Sequence, residues 1–229
     1  MTRSALQIEV YLEIGRHRTF AGAIEWPGWC RSGRDEPAAL QALYASALRY
    51  AALLPPTGLE FRTPADAAAF AVVDRLTGNS TTDFGAPDIA PSCDALPLDA
   101  KALRRCESLL QAYWRAFDGA VQASAGKNLR KGPRGGGRDT DAIIQHVLNV
   151  ERSYLARVGW KLPPPAEGDL SAALRQIHQA VLHALAAAAR GELPTQGPRG
   201  GVFWAPRYFV RRMAWHVLDH AWEIEDRTG

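Results

Sequence analysis

His216 and His220 stand four residues apart in the segment Arg-Arg-Met-Ala-Trp-His-Val-Leu-Asp-His-Ala-Trp-Glu-Ile-Glu-Asp-Arg, residues 211–227. On a helix that spacing puts two imidazoles on one face, one turn apart. A single metal ion spans the gap, and one further ligand makes a three-nitrogen set with positions left open for water or substrate. For zinc this open arrangement is the catalytic pattern rather than the structural one. Nickel and other late divalent ions accept the same donors, so the residue types do not choose between them. The candidate third ligand is His146, three residues after Ile143 and four before Val150 on the same helix face. Asn149, Asp219 and Glu223 each follow one of these histidines by three positions and are the candidates to orient an imidazole. The alternative is a set of core histidines paired with carboxylates or stacked on Trp215 and Trp222. Burying three unpaired imidazoles is costly, so on the pattern alone the metal and the core reading stand level. His17 falls in a turn; His178 and His183, five apart, face different ways, one expected at the surface and one packed.

The elements that must position these residues are of two kinds. Residues 7–14, Gln-Ile-Glu-Val-Tyr-Leu-Glu-Ile, alternate polar and apolar as a half-buried strand does, and 19–25 can return as a second strand after a turn at 15–18. Asp35 with Pro37 opens a helix through Leu48, ended by Pro55 and Pro56, and a further strand is expected over 70–76. Residues 77–97, rich in Gly, Pro, Asp, Ser and Thr, read as the connection between domains, ordered against the helices beyond it. The period then becomes helical. Helices are expected over 98–124, from Asp139 to before Pro163, over 170–190, and from Pro206 to the end. The expectation is an α+β chain: a small β-hairpin or sheet plus helix module over residues 1–92, then an up-down-up-down four-helix bundle over 93–229. In that arrangement the second and fourth helices run the same way.

The loops before those two helices, 126–138 and 191–205, would then overhang one end of the bundle. Arg138, Arg199, Arg207 and Tyr208 are the candidates there to meet an anionic substrate at the mouth of the metal site. Lys127, Arg130, Lys131, Arg134 and Arg138 crowd the first of these loops, although the net charge of only +3 gives no argument for nucleic acid. Composition is globular, with 47% hydrophobic and 22% charged residues, and no apolar run approaches a membrane span. Three widely spaced cysteines without a Cys-x-x-Cys suit a reducing cytoplasm. No Gly-x-Ser-x-Gly, phosphate loop or Cys beside His is present, so no protein nucleophile stands out.

Residues 96–227, through His146 in Asp-Ala-Ile-Ile-Gln-His-Val-Leu-Asn-Val-Glu-Arg and the later His216-x-x-x-His220, resemble the DinB/YfiT-like superfamily of metal-binding four-helix bundles. The resemblance implies that His146, His216 and His220 coordinate a divalent ion. It also brings in the family's thiol-dependent S-transferases and a mycothiol-dependent isomerase, while settling fold and metal more than substrate. The first half, through Phe-Ala-Gly-Ala-Ile-Glu-Trp-Pro-Gly-Trp-Cys-Arg-Ser-Gly-Arg-Asp-Glu-Pro-Ala-Ala-Leu, residues 20–40, resembles the HicB-like antitoxin fold, with Trp29 inserted before Cys30. With the bundle in place of a DNA-binding tail, a dimerisation or lid module is expected rather than toxin neutralisation, and a homodimer is open.

These expectations add up to a cytoplasmic metal-dependent enzyme, a thiol-dependent S-transferase or a hydrolase. Its cofactor is a zinc or nickel ion, with a low-molecular-weight thiol as the second component. Its substrate is a small molecule, anionic or a thiol, and neither nucleic acid nor membrane is a partner. The alternative is a non-catalytic metal- or ligand-sensing protein whose N-terminal module engages a protein partner.

Overall fold

The computed structural model describes residues 7–131, 137–162 and 169–228. Its contacts fall into two compact units, one up to Ala95 and one from Leu96 on. The chain is α+β, with a four-stranded sheet in the first unit and a helical bundle in the second.

In the first unit, strands β1 (Ile8–Ile14), β2 (Thr19–Ala23), β3 (Cys30–Gly33) and β4 (Phe70–Thr77) form a sheet in the order β3-β2-β1-β4. β1 pairs antiparallel with β2, Val10 opposite Ala23 and Ile14 opposite Thr19, and parallel with β4. The short strand β3 and its antiparallel pairing to β2 are additions to the sequence expectation, because Cys-Arg-Ser-Gly carries no alternation. Asp35 accepts a hydrogen bond from the Ala38 N–H at 2.9 Å and so opens helix α1 (Glu36–Ala45), which continues after Ser46 as α2 (Ala47–Ala51). Trp29 stacks on Tyr50, 5.2 Å between centroids, and its indole N–H donates to Ser46 at 2.9 Å, closing the core between sheet and helices.

Residues 78–95 belong to this first unit. Helix α3 (Ser80–Phe84) is capped by Asn79, and the segment hangs on Glu13 of β1. The fully buried Glu13 carboxylate accepts from the Thr82 hydroxyl, from the Asp88 N–H at 2.9 Å and from the Ile89 N–H at 3.0 Å. A strand pattern shows that Glu13 alternates but not that its carboxylate gathers donors 69 to 76 residues away. Glu13→Gln replaces an acceptor oxygen with a donor facing other donors. A loss of about 1–3 kcal/mol in unfolding free energy is expected by urea titration, and an unchanged midpoint would show that the segment is held by other means.

In the second unit, Asp99 caps α4 (Ala100–Ala123), Asp139 caps α5 (Thr140–Arg157) and Asp169 caps α6 (Leu170–Ala189). Pro206 begins α7 (Pro206–Thr228). The neighbouring pairs are α4 with α7, α7 with α5, α5 with α6 and α6 with α4. Every residue of α7 from Tyr208 to Leu218 is buried, so this helix is covered on all sides rather than along one stripe.

Their directions differ from the up-down-up-down expectation. The Arg207 guanidinium donates to the carbonyls of Leu96 and Pro97, so α4 and α7 begin at the same end. The Trp204 N–H donates to the Arg157 carbonyl at 2.8 Å and Arg227 donates to the Arg138 carbonyl at 2.7 Å, so α7 begins where α5 ends and ends where α5 begins. Trp114 of α4 stacks on His178 of α6, and the charge of Arg175, one turn back along α6, reaches Asp118, one turn further along α4. α4 and α6 are therefore antiparallel. The bundle runs up-down-down-up, with α5 antiparallel to α7. Twelve residues separate Arg157 from Leu170. A chain of that length reaches up to about 40 Å, more than the roughly 27 Å of an 18-residue helix, so covalent geometry permits the parallel α5–α6 pair. The expected end of α5 before Pro163 lies at Arg157, and Pro163 itself is outside the described residues.

Candidate metal centre

The three histidines reach one point from two antiparallel helices. Asp139 sets where α5 starts, which places His146 two turns in, flanked by the fully buried Ile143 and Val147. On α7, Met213 and Val217 are fully buried on either side of the His216 position. His146 faces His216 and the next residue on its stripe, His220. Ring centroids lie 5.1 Å apart for His146 and His216, 4.9 Å for His146 and His220, and 4.6 Å for His216 and His220. One nitrogen from each lies within 4.8 Å of the others.

The donor geometry fits an ion. The Nε2 atoms of His146 and His216 face each other at 3.2 Å. Two nitrogens on a tetrahedral zinc, each at about 2.0–2.1 Å, stand about 3.3 Å apart. His220 has its Nδ1 on the Glu223 carboxylate, Nδ1 to Oε2 2.8 Å, which leaves its Nε2 as the nitrogen for an ion. His216 is 6% exposed, yet its Nδ1 has no hydrogen-bond partner. A structural core histidine normally has its polar atoms satisfied. His216 instead has one nitrogen aimed at another imidazole and one with nothing, which weighs against the purely structural alternative.

Electrostatics disfavour protonation of His146 and His216. Burial first, then the charges of His220 and Arg138, push His146 from 6.5 down to about 4. Burial also holds His216 well below the usual imidazole range, helped by His220, His146, Arg212 and Arg138. Neutral imidazole is the form that binds metal. Glu223 is held below the usual carboxylate range, chiefly by its hydrogen bond with His220.

Of the residues expected to orient the imidazoles, Glu223 touches one. Asn149 is exposed and accepts from Gln145 at 3.1 Å, while Asp219 is half-buried and leaves His216 Nδ1 without a partner. The expected mouth residues divide between the two ends of the bundle, because α5 and α7 are antiparallel. Arg138 is exposed at the end where α5 begins, and its charge reaches His146 and His216. Arg207, at the opposite end, spends its guanidinium on the Leu96 and Pro97 carbonyls. Tyr208 is buried against Trp204 at 4.9 Å, and Arg199 is exposed in the loop before α7. Among the described residues, Arg138 before α5 and Trp204 before α7 lie at opposite ends of the bundle, and residues 132–136 of the first loop are outside them.

Several further side chains line the histidines. Arg212, one turn before His216 on the ligand stripe, is buried, donates to the Tyr154 hydroxyl at 2.9 Å and lies over the Tyr154 and Trp215 rings at 5.4 and 5.5 Å. The Tyr154 ring stands 5.9 Å from that of His216, and Trp204 is 5.1 Å beyond it. Arg212 was legible as the i−4 neighbour of His216; that its charge is buried was not. Elsewhere in the bundle, His178 is packed against Trp114, 4.1 Å between parallel rings, and lies 3.4 Å from the fully buried Glu151, while His183 is exposed. Among the described residues, no helix is long and apolar enough to cross a membrane. Comparison with protein-family models, with curated proteins and with solved structures finds no match for this chain.

Proposed function

We propose that the chain is a metal-dependent enzyme of the thiol-transferase or hydrolase kind, its zinc or nickel ion held by His146, His216 and His220. The observation that carries this reading is the convergence of three imidazoles, one nitrogen from each within 4.8 Å of the others, with no fourth protein donor in the group among the described residues. A bound divalent ion would supply Lewis acidity, lowering the pKa of a coordinated thiol or water so that it reacts near neutral pH. The chain's own residues then have three tasks. Glu223 fixes the tautomer of His220, burial of His216 keeps water from competing for that nitrogen, and the cations Arg138 and Arg212 favour an anionic group beside the ligands. The resemblance of residues 96–227 to the DinB/YfiT-like bundles supports the same reading and suggests the thiol.

The test is elemental analysis of the native chain, then thermal shift and turnover assays of the zinc- and nickel-loaded protein with low-molecular-weight thiols. The expected result is one ion per chain and a melting temperature that rises with one class of thiol. A chain that takes up no divalent ion under any loading condition would end the proposal. Tight binding without turnover or thiol response would move it to the metal-sensing alternative.

A further inference from the structure

The contact between His220 and Glu223 does not end at the carboxylate. Glu223 uses Oε2 for His220 and Oε1 for Arg227, 2.7 Å from Nη1. Arg227 is 7% exposed, and a buried guanidinium is tolerated only when its donors are met. They are met by three different groups: Nη1 by Glu223, Nε by the Arg130 carbonyl and Nη2 by the Arg138 carbonyl, all at 2.7 Å. The fork is planar and rigid, so fixing any two of its contacts fixes the third. The end of α7 is tied to residue 130 from the other side as well. The Arg130 N–H donates to the Arg227 carbonyl at 2.9 Å and its guanidinium to the Asp226 carbonyl at 2.6 Å. Gly137 belongs to the same arrangement, because a Cβ there would collide with Nη2 of Arg227.

We propose that Arg227 is a positioning residue of the metal centre: its fork holds Glu223 against His220 while clamping the carbonyls of Arg130 and Arg138. The inference rests on the metal reading above and deepens it. Glu223 is a flexible side chain, about a third exposed, and alone it could leave His220 for water. With one oxygen held by Arg227, the other stays on Nδ1, and His220 keeps Nε2 turned towards His146 and His216. Arg138, whose charge reaches both of those histidines, is held at the site by the same guanidinium. Metal affinity and the attachment of residues 130 and 138 are thereby one coupled equilibrium, in which each tightens the other.

The experiment measures zinc affinity of the full chain by competition with a chromophoric chelator, for wild type, Arg227→Gln, Arg227→Lys, Glu223→Gln and the Glu223→Gln/Arg227→Gln double variant. Both single Arg227 variants should bind zinc about 10–100-fold more weakly, lysine failing to rescue because it has no fork. The double variant should match Glu223→Gln alone within about twofold, because Arg227 acts through Glu223. In the metal-free protein, the imidazole NMR signal of the His220 Nδ1 proton should be protected in wild type and exchange-broadened in both Arg227 variants. Should an Arg227 variant not fold, Gly137→Ala, which pushes the fork aside, replaces it in both measurements. Wild-type affinity in the Arg227 variants, or losses that simply add in the double variant, would overturn the proposal. A merely structural role would lower the melting temperature and leave both affinity and the proton signal unchanged. If wild type binds no zinc, the metal reading fails by itself, and the proton signal alone decides whether Arg227 positions His220.

Discussion

His216→Ala is expected to lose stoichiometric zinc or nickel binding. His216 is the most enclosed of the three histidines, 6% exposed, and its Nε2 stands 3.2 Å from that of His146. Its removal breaks the closest pair of donors and leaves His146 and His220 on separate helices. Loss of a residue that merely orients a ligand weakens binding about 10–100-fold, so loss of the ligand itself should exceed a hundredfold. The stability readout follows by mass action. Metal at a thousand times its dissociation constant adds about 4.1 kcal/mol to the folded state, a rise of roughly 8–16 °C for a chain of this size. Wild type should show that rise on loading, and His216→Ala should not. In the metal-free state the substitution leaves a cavity but also removes Nδ1, a buried nitrogen without a partner, so these effects oppose and the melting temperature should move little. His183→Ala, at an exposed position on α6, should bind metal as wild type does. A His216→Ala chain that still holds one ion would place the metal elsewhere.

The pH dependence of the metal-free protein is the second large effect. His146 and His216 titrate near 6.5 when the chain is unfolded, but in the fold His146 is held at about 4 and His216 well below 6.5. Between pH 6.5 and about 4 the unfolded state therefore binds more protons than the folded one. Stability rises with pH in that window and is lost as the pH falls through it. Glu13 and Asp118, both raised, chiefly by burial, tilt the same region the other way, because their folded forms hold protons longer. The histidine contribution is thus the difference between wild type and a variant in which it is absent. Chemical denaturation from pH 7 to pH 4 should show wild type losing stability more steeply than His216→Leu, with the curves parallel above pH 7. Parallel curves throughout would mean that the His216 imidazole is not held neutral by its surroundings.

Both effects trace to residues whose types and spacing are local. The i,i+4 pair at 216 and 220, the placement of His146 between Ile143 and Val150, and the Asp caps that open α4, α5 and α6 are consequences of helical period and backbone hydrogen bonding over a few residues. The chain by itself therefore determined the three candidate ligands, the change from strand to helical period, and the four long helices. It also carried Glu223, three positions after His220, as a candidate partner.

Tertiary structure alone decided the rest. The direction of α6, and with it the antiparallel crossing of α5 and α7, depends on a long connection that constrains neither choice. The expected single mouth, built on parallel helices, separated into two ends for that reason. Arg227 was one of many exposed-looking cations along the chain; only packing placed its guanidinium within 2.7 Å of two carbonyls 89 and 97 residues away. The partners of Glu13, Asp88 and Ile89, likewise lie 75 and 76 residues along the chain. Periodicity is set by local torsions and solvent exposure, so it is legible in sequence. Which buried polar atoms meet is set by the requirement that each find a partner in the folded interior, and that requirement is met only at long range.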